Sequence, residues 1–305
     1  MSDSNTEAAA SQAKVVAAFL IVTAIWGSTW LVIKDQVGLV PASWSITYRF
    51  AIACIGMFIF AKLRGDPLRL SREGMILSVF VGLSQFFLNF QFVYRAEMHL
   101  TSGLVAVFYA LLMVPNTLLG RLFLKETVKP RFVFGSLIAI AGIALLLIHE
   151  FRDAPPDSRI ALGIALTCAG LFSASSANVL QATPAGRRQL VVPLLAWAMV
   201  WGTLADALFS IVTAGPPVVD MRWGYLAGIA YLAIFGSVVS FPLYFVLIRT
   251  LGAGRAAYNG VAVPVVAMVL STFFEDYRWT ALAGGGALLA LVGLLFALSA
   301  RAKRA

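Results

Sequence analysis

A single arginine, Arg49, lies inside a long apolar stretch of this 305-residue chain. A guanidinium in such surroundings calls for an anion, and a carboxylate matches its geometry best. Counted from Pro41 at 1.5 Å per residue, it sits ~12 Å along its helix. Two readings follow: a clamp for a substrate carboxylate, or a side chain that snorkels to lipid headgroups. Polar and aromatic residues recur around it at helical spacing. Thr23, Trp26 and Trp30 share one helix face, Gln85 and Asn89 another, and Ser237, Ser240 and Tyr244 a third. Tyr109 and Tyr258 occupy matching places in two proline-containing stretches. Amides in apolar surroundings need a partner on another helix or a watered cavity, and Gln85 with Asn89 fits either. Serines in such stretches read first as contacts between helices. Pro115, Pro242 and Pro264 each remove a backbone hydrogen bond from a helix, so they are expected breaks or gates.

Catalytic signatures are missing. His99 and His149 fall in or beside loops, and neither HExxH, GxSxG nor a Ser–His, Cys–His or metal-ligand spacing occurs. Gly284-Gly285-Gly286 has no strand before it and no Lys after it, so it reads as a close-packing device. Cys54 and Cys168 both lie in apolar stretches and predict no disulfide framework. No enzyme, metal or cofactor is expected. Asp206 falls near a helix end and is expected to be solvated. With no carboxylate expected deep in the apolar stretches, whatever these stretches do is not expected to depend strictly on protons.

The elements that must position these residues follow from composition. Hydrophobic residues make up 60%, charged residues 12%, and mean hydropathy is +0.88. A soluble domain would carry about twice that charge. Ten stretches can cross a bilayer: 15–33, 42–61, 74–94, 100–120, 132–148, 160–183, 189–214, 223–248, 256–274 and 279–300. Spans of this length in lipid must be helices. The net charge of +9 sits in short loops, where it sets topology and does not mark a nucleic-acid partner.

The chain also repeats. Pro115 precedes Glu126 as Pro264 precedes Glu275, and an offset of 149 places Tyr109 on Tyr258, Gly103 on Gly252 and Gly135 on Gly284. Five spans per half is odd, so the second half is expected to be inverted, the build of a secondary transporter. Sixteen Lys and Arg residues fall in alternate loops and tails on one side and six on the other. This places both termini in the cytoplasm, Glu126 inside and Glu275 outside. The expected fold is an all-α polytopic membrane protein with ten transmembrane helices as two inverted five-helix repeats. Its expected divisions are a disordered cytoplasmic tail over 1–14, repeats over 15–149 and 160–300, an external linker over 150–159 and a basic tail over 301–305.

Trp26-Gly27-Ser28, Tyr48-Arg49-Phe50, Pro115 with Leu124-Lys125-Glu126, and Gly135 with Gly142 resemble the repeat of the EamA family within the drug/metabolite transporter superfamily. Pro264 and Glu275 repeat its core, and the resemblance covers 15–300. The second half departs from it at Phe172-Ser173-Ala174, where a Trp-containing segment is frequent. The resemblance implies an alternating-access exporter in a bacterial inner membrane, with a small-molecule substrate and the lipid bilayer as partners. It points to amino acids, aromatic ones among them. Trp26, Tyr109, Tyr244 and Tyr258 can then enclose a side chain, with Gln85, Asn89 and Ser240 beside them, while Arg49 holds the carboxylate. The rival readings are efflux of lipophilic or quaternary-ammonium drugs, and a membrane receptor or scaffold. Oligomeric state is open, a monomer included.

Overall fold

The computed structural model describes residues 2–38, 40–153, 159–251 and 259–299. Among them the regular elements are all helical. In chain order they are α1 Ser2–Gln36, α2 Ala42–Leu63, α3 Arg72–Val81, α4 Asn89–Ala96, α5 Ser102–Ala110, α6 Met113–Leu124 and α7 Pro130–Asp153. Then follow α8 Ile160–Ala182, the short α9 Pro184–Arg187, α10 Val191–Ala214, α11 Trp223–Ala233, α12 Ser240–Leu251, α13 Asn259–Phe274 and α14 Ala281–Ser299. Two π-helical segments, Gly82–Leu88 and Ile234–Val239, join α3 to α4 and α11 to α12. Among the described residues nine helices are long and apolar enough to cross a membrane, and α13 is a shorter apolar one. Their outward faces carry exposed Leu20, Ile55, Phe80, Leu122, Leu208 and Phe273, as lipid contact requires.

The chain's first residues differ from expectation. α1 starts at Ser2, so the segment expected as a disordered tail continues the first helix. Its run of Ala8, Ala9, Ala10 and Ala13 explains this, because alanine is the strongest helix former.

Two helices are interrupted where backbone chemistry demands it. Between α5 and α6 the bonds tighten to three residues: Leu111 N–H donates to Phe108 O, Leu112 to Tyr109 O, and Val114 to Leu111 O at 2.8 Å. Pro115 has no N–H to offer Leu111, so Val114 takes that carbonyl and the helix restarts at Met113. Pro264 lies inside α13, which is continuous around it. At the offset of 149 the α5–α6 turn would fall at the start of α13. The residues just before it, 252–258, lie outside the described residues.

Pro242 is accommodated differently. It follows the π segment Ile234–Val239, whose wider turn keeps the ring clear of the preceding carbonyls. Ser237 and Ser240 donate their hydroxyls five residues back, to Leu232 O at 3.1 Å and Phe235 O at 2.7 Å, serving carbonyls that the wide turn leaves short of amides. Shifted by 149, Gly82–Leu88 covers 231–237 and overlaps this second π segment.

One seam holds α7 against α14. Gly135, Ala139 and Gly142 face Ala297, Gly293, Gly286 and Ala290, so closely that a Cβ on Gly142 would stand 2.3 Å from Ala290 N. Small residues at this spacing let backbones touch in lipid, where dispersion drives association. Of the three consecutive glycines only Gly286 packs this way, while Gly284 and Gly285 face open space.

Candidate functional site

Two aromatic corners stand one helical turn apart on α1. Trp26 Nε1 donates to Gly236 O at 3.2 Å, in the second π segment. Its ring lies 5.7 Å from Phe241 and 5.1 Å from Tyr244. Trp30 lies 5.0 Å from Tyr109, whose hydroxyl donates to Asn89 Oδ1 at 2.6 Å. Trp26 thus meets Tyr244, and Tyr109 meets Asn89, in contacts between different helices. Gln85 sits half-buried in the first π segment. Ser240 is buried with its hydroxyl bonded inside its own helix, which gives it a structural role here. Tyr258 lies outside the described residues. Pro115 is buried, as is Pro264 in α13, and Pro242 is half-buried.

Arg49 lies between the corners. It is only 3% exposed, which excludes the snorkelling arrangement in this conformation. Its Cζ rests 4.5 Å from the Phe90 ring centre and 5.1 Å from that of Phe50. Stacking of this kind is worth ~2 kcal/mol in a desolvated site. A chain of rings continues from Phe50 through Phe86 to Phe241, linking Arg49 to the Trp26 corner. Its Nη2 approaches Gly236, whose carbonyl holds Trp26. Nε and Nη1 make no hydrogen bond of ordinary geometry, and the buried Tyr94 hydroxyl stands beside the guanidinium. Buried guanidinium donors left unmatched are costly, and an anion or other acceptors beside them would satisfy them.

A polar layer closes the end of the bundle at the turns after α1, α4 and α13, called the distal end below. Lys34 Nζ donates to the carbonyls of Glu97 and Leu100, the latter at 2.9 Å. Glu275 accepts from Ser102 N–H at 3.1 and 3.2 Å and from its hydroxyl, capping α5 across the chain. Gln36 Nε2 reaches Tyr225 O at 3.4 Å, and the Tyr225 and Ser45 hydroxyls share a bond of 2.8 Å.

Asp206 corrects an expectation. It is 0% exposed, and its Oδ1 accepts from Gln91 Nε2 at 2.6 Å. Arg95 Nη1 in turn donates to Gln91 Oε1 and, at 2.9 Å, to Gln91 O. Position along α10 places Asp206 near the distal end, but its face of the helix turns inward, against α2 and the first π segment. Glu97 is also 0% exposed, and both its oxygens are without hydrogen-bond partners. In the sequence its place immediately after a span is the one signal for it.

Among the described residues no cluster of three or more His, Cys, Asp or Glu could hold a metal ion. Cys54 and Cys168 are free, Cys54 half-buried and Cys168 exposed.

The profile of the EamA-like transporter family matches this chain twice, over 13–148 and 161–299. Among curated proteins, the "Uncharacterized inner membrane transporter YedA" of Escherichia coli K12 is 29% identical over 81% of this chain and 78% of its own. "Protein PagO" of Salmonella typhimurium is 24% identical over 85% and 84%. The "Probable amino-acid metabolite efflux pump" of Escherichia coli K12 is 24% identical over 90% and 91%. One crystal structure superposes with a TM-score of 0.69 at 18% identity, covering 96% of this chain and 99% of that one, a likeness of fold.

Proposed function

Since the chain belongs to the EamA-like transporter family, and is thus a multi-pass inner-membrane transporter, we propose that it exports amino acids by alternating access. Arg49 carries this reading. A buried guanidinium with two unmatched donors, set among rings, suits a substrate that brings a carboxylate and an apolar side chain. The efflux-pump relative supports the same class. Trp26, Tyr109 and Tyr244 would enclose the side chain, with Gln85 and Asn89 for its polar groups. Tyr258 takes its place by the repeat, and Ser240 supports the wall from behind.

The reading includes ten spans in two inverted halves with cytoplasmic termini. The double family match and the overlapping π segments support the repeat, and the loop charges support the orientation. Pro115, Pro242 and Pro264 would be the bending points. The distal end, tied shut by Lys34, Gln36 and Glu275, would face the periplasm. A lipophilic-cation pump would want a carboxylate among the rings, where this chain has Arg49.

Counterflow in proteoliposomes with a panel of labelled amino acids, their amides and lipophilic cations tests the reading. Uptake of acids, lost for the amides, is the expected result. Uptake of cations alone overturns it.

A further inference from the structure

Glu97 is a buried ionisable group for which the transport reading has no use. It stands immediately past the last residue of α4, wholly enclosed, with neither carboxylate oxygen hydrogen-bonded. A bare carboxylate in such a place is costly, and a protonated one is much less so. Lys34 makes no hydrogen bond to the carboxylate, and its ammonium donates to the carbonyls of Glu97 and Leu100. The charged and titratable groups around it are Lys34 on α1, Arg49 on α2, Tyr94 on α4, Tyr109 on α5 and Glu275 after α13. Burial pushes the Glu97 carboxyl well above the usual carboxylate range; Lys34 pulls it down, Glu275 pushes it up and Arg49 pulls it down.

The position matters as much as the burial. Glu97 belongs to the turn whose carbonyls anchor Lys34, and Ser102 five residues on receives Glu275. Any opening of this end must part these groups and let water reach the carboxyl.

We propose that Glu97 binds a proton that latches the distal end shut, taking it from the compartment that end faces. On opening, the Glu97 O–H bond breaks, the proton passes to water, and the carboxylate becomes free to pair with Lys34. No oxidant or co-substrate enters the step. Closure favours the acid form, so by linkage the acid form favours closure: acid shuts this end and alkali opens it. The inference rests on the transporter reading for its purpose, since a latch of this kind would make release or return depend on protons. It replaces the expectation of transport indifferent to protons.

The test needs no substrate and no sidedness. In a chain carrying Cys54→Ser and Cys168→Ser, in detergent, maleimide labelling of Ala96→Cys is divided by that of Met98→Cys. Ala96 is wholly buried beside Glu97, and Met98 is 57% exposed, so the ratio reports opening and cancels the pH dependence of the reagent. From about pH 5 to about pH 8 the ratio should rise roughly tenfold or more. Glu97→Gln should hold it low and flat. Should Glu97→Gln fail to fold, Lys34→Met serves, because losing the nearby cation should move the midpoint to higher pH. The same rise in Glu97→Gln, an unmoved midpoint in Lys34→Met, or a rise driven by sodium at constant pH overturns the proposal. Because no transport is measured, failure here leaves the amino-acid reading intact, and failure of the counterflow panel leaves this one intact.

Discussion

The α7–α14 seam and the distal layer hold the bundle together by opposite means. In the seam, Gly135, Gly142, Gly286 and Gly293 let backbones meet, and the one charged side chain recorded across it among the described residues, Arg131, stacks on Phe296 at the end of the helix pair. In the distal layer, contact runs through Lys34, Glu97, Gln91, Asp206 and Glu275, several with donors or acceptors left unmatched. Dispersion between close backbones has one good geometry and falls off within an ångström of it. Hydrogen bonds from long side chains can be traded for water when the helices part. On the alternating-access reading the seam is the part expected to stay, and the distal layer the part expected to open.

The largest effect should come from forcing the seam. Gly142→Leu places a side chain where Ala290 backbone stands 2.3 Å from the first carbon. Folded, monodisperse protein should be almost entirely lost in size-exclusion chromatography, while Gly284→Leu, facing open space, should run like the parent. Equal behaviour of the two would dissolve the contrast.

Next comes Arg49, buried against the rings of Phe50 and Phe90. Arg49→Gln should keep the fold but lower kcat/KM for a carboxylate substrate about a hundredfold, ~3 kcal/mol, and much less for the amide. Equal losses for both would leave Arg49 a packing residue. A smaller change is expected from Pro115→Ala, which restores an N–H and lets α5 run on into α6. Transport should fall severalfold with membrane insertion near normal, and full activity would remove the break from the moving parts. The smallest belongs to the exposed Arg188–Glu73 pair at 2.8 Å. Arg188→Ala should leave both stability and transport within assay error, because solvated pairs contribute little.

What the sequence reveals divides along the same line. The Pro115 break and the sharing of one helix face by Trp26 and Trp30 were legible because each follows from local chemistry or from spacing on one helix. The buried state of Asp206 was not. Counting residues along α10 gives its depth, but which way its face turns depends on α2 and the first π segment packing against it. Glu97 was hidden for the same reason, since its enclosure requires Lys34 from α1 and a turn pinned by Glu275, 178 residues away in sequence. Ser240 misled in the other direction. Its place in a polar stripe suggested a contact between helices, and the resemblance a place beside substrate, whereas its hydroxyl serves a carbonyl of the π segment. That device answers Pro242, and a reading based on a uniform 3.6-residue period has no room for it.

The seam also sets a schedule for the molecule's birth. Its two sides lie about 150 residues apart in the chain, so at ~5–20 residues per second α7 waits roughly ten to thirty seconds for α14. Through that interval Gly135, Ala139 and Gly142 present a bare groove to lipid, to the insertion machinery, or to the same groove on a neighbouring nascent chain. Ribosome pausing between the two helices lengthens the exposure, and codons that slow the passage after α7 would raise the yield of mispaired chains without altering a single residue.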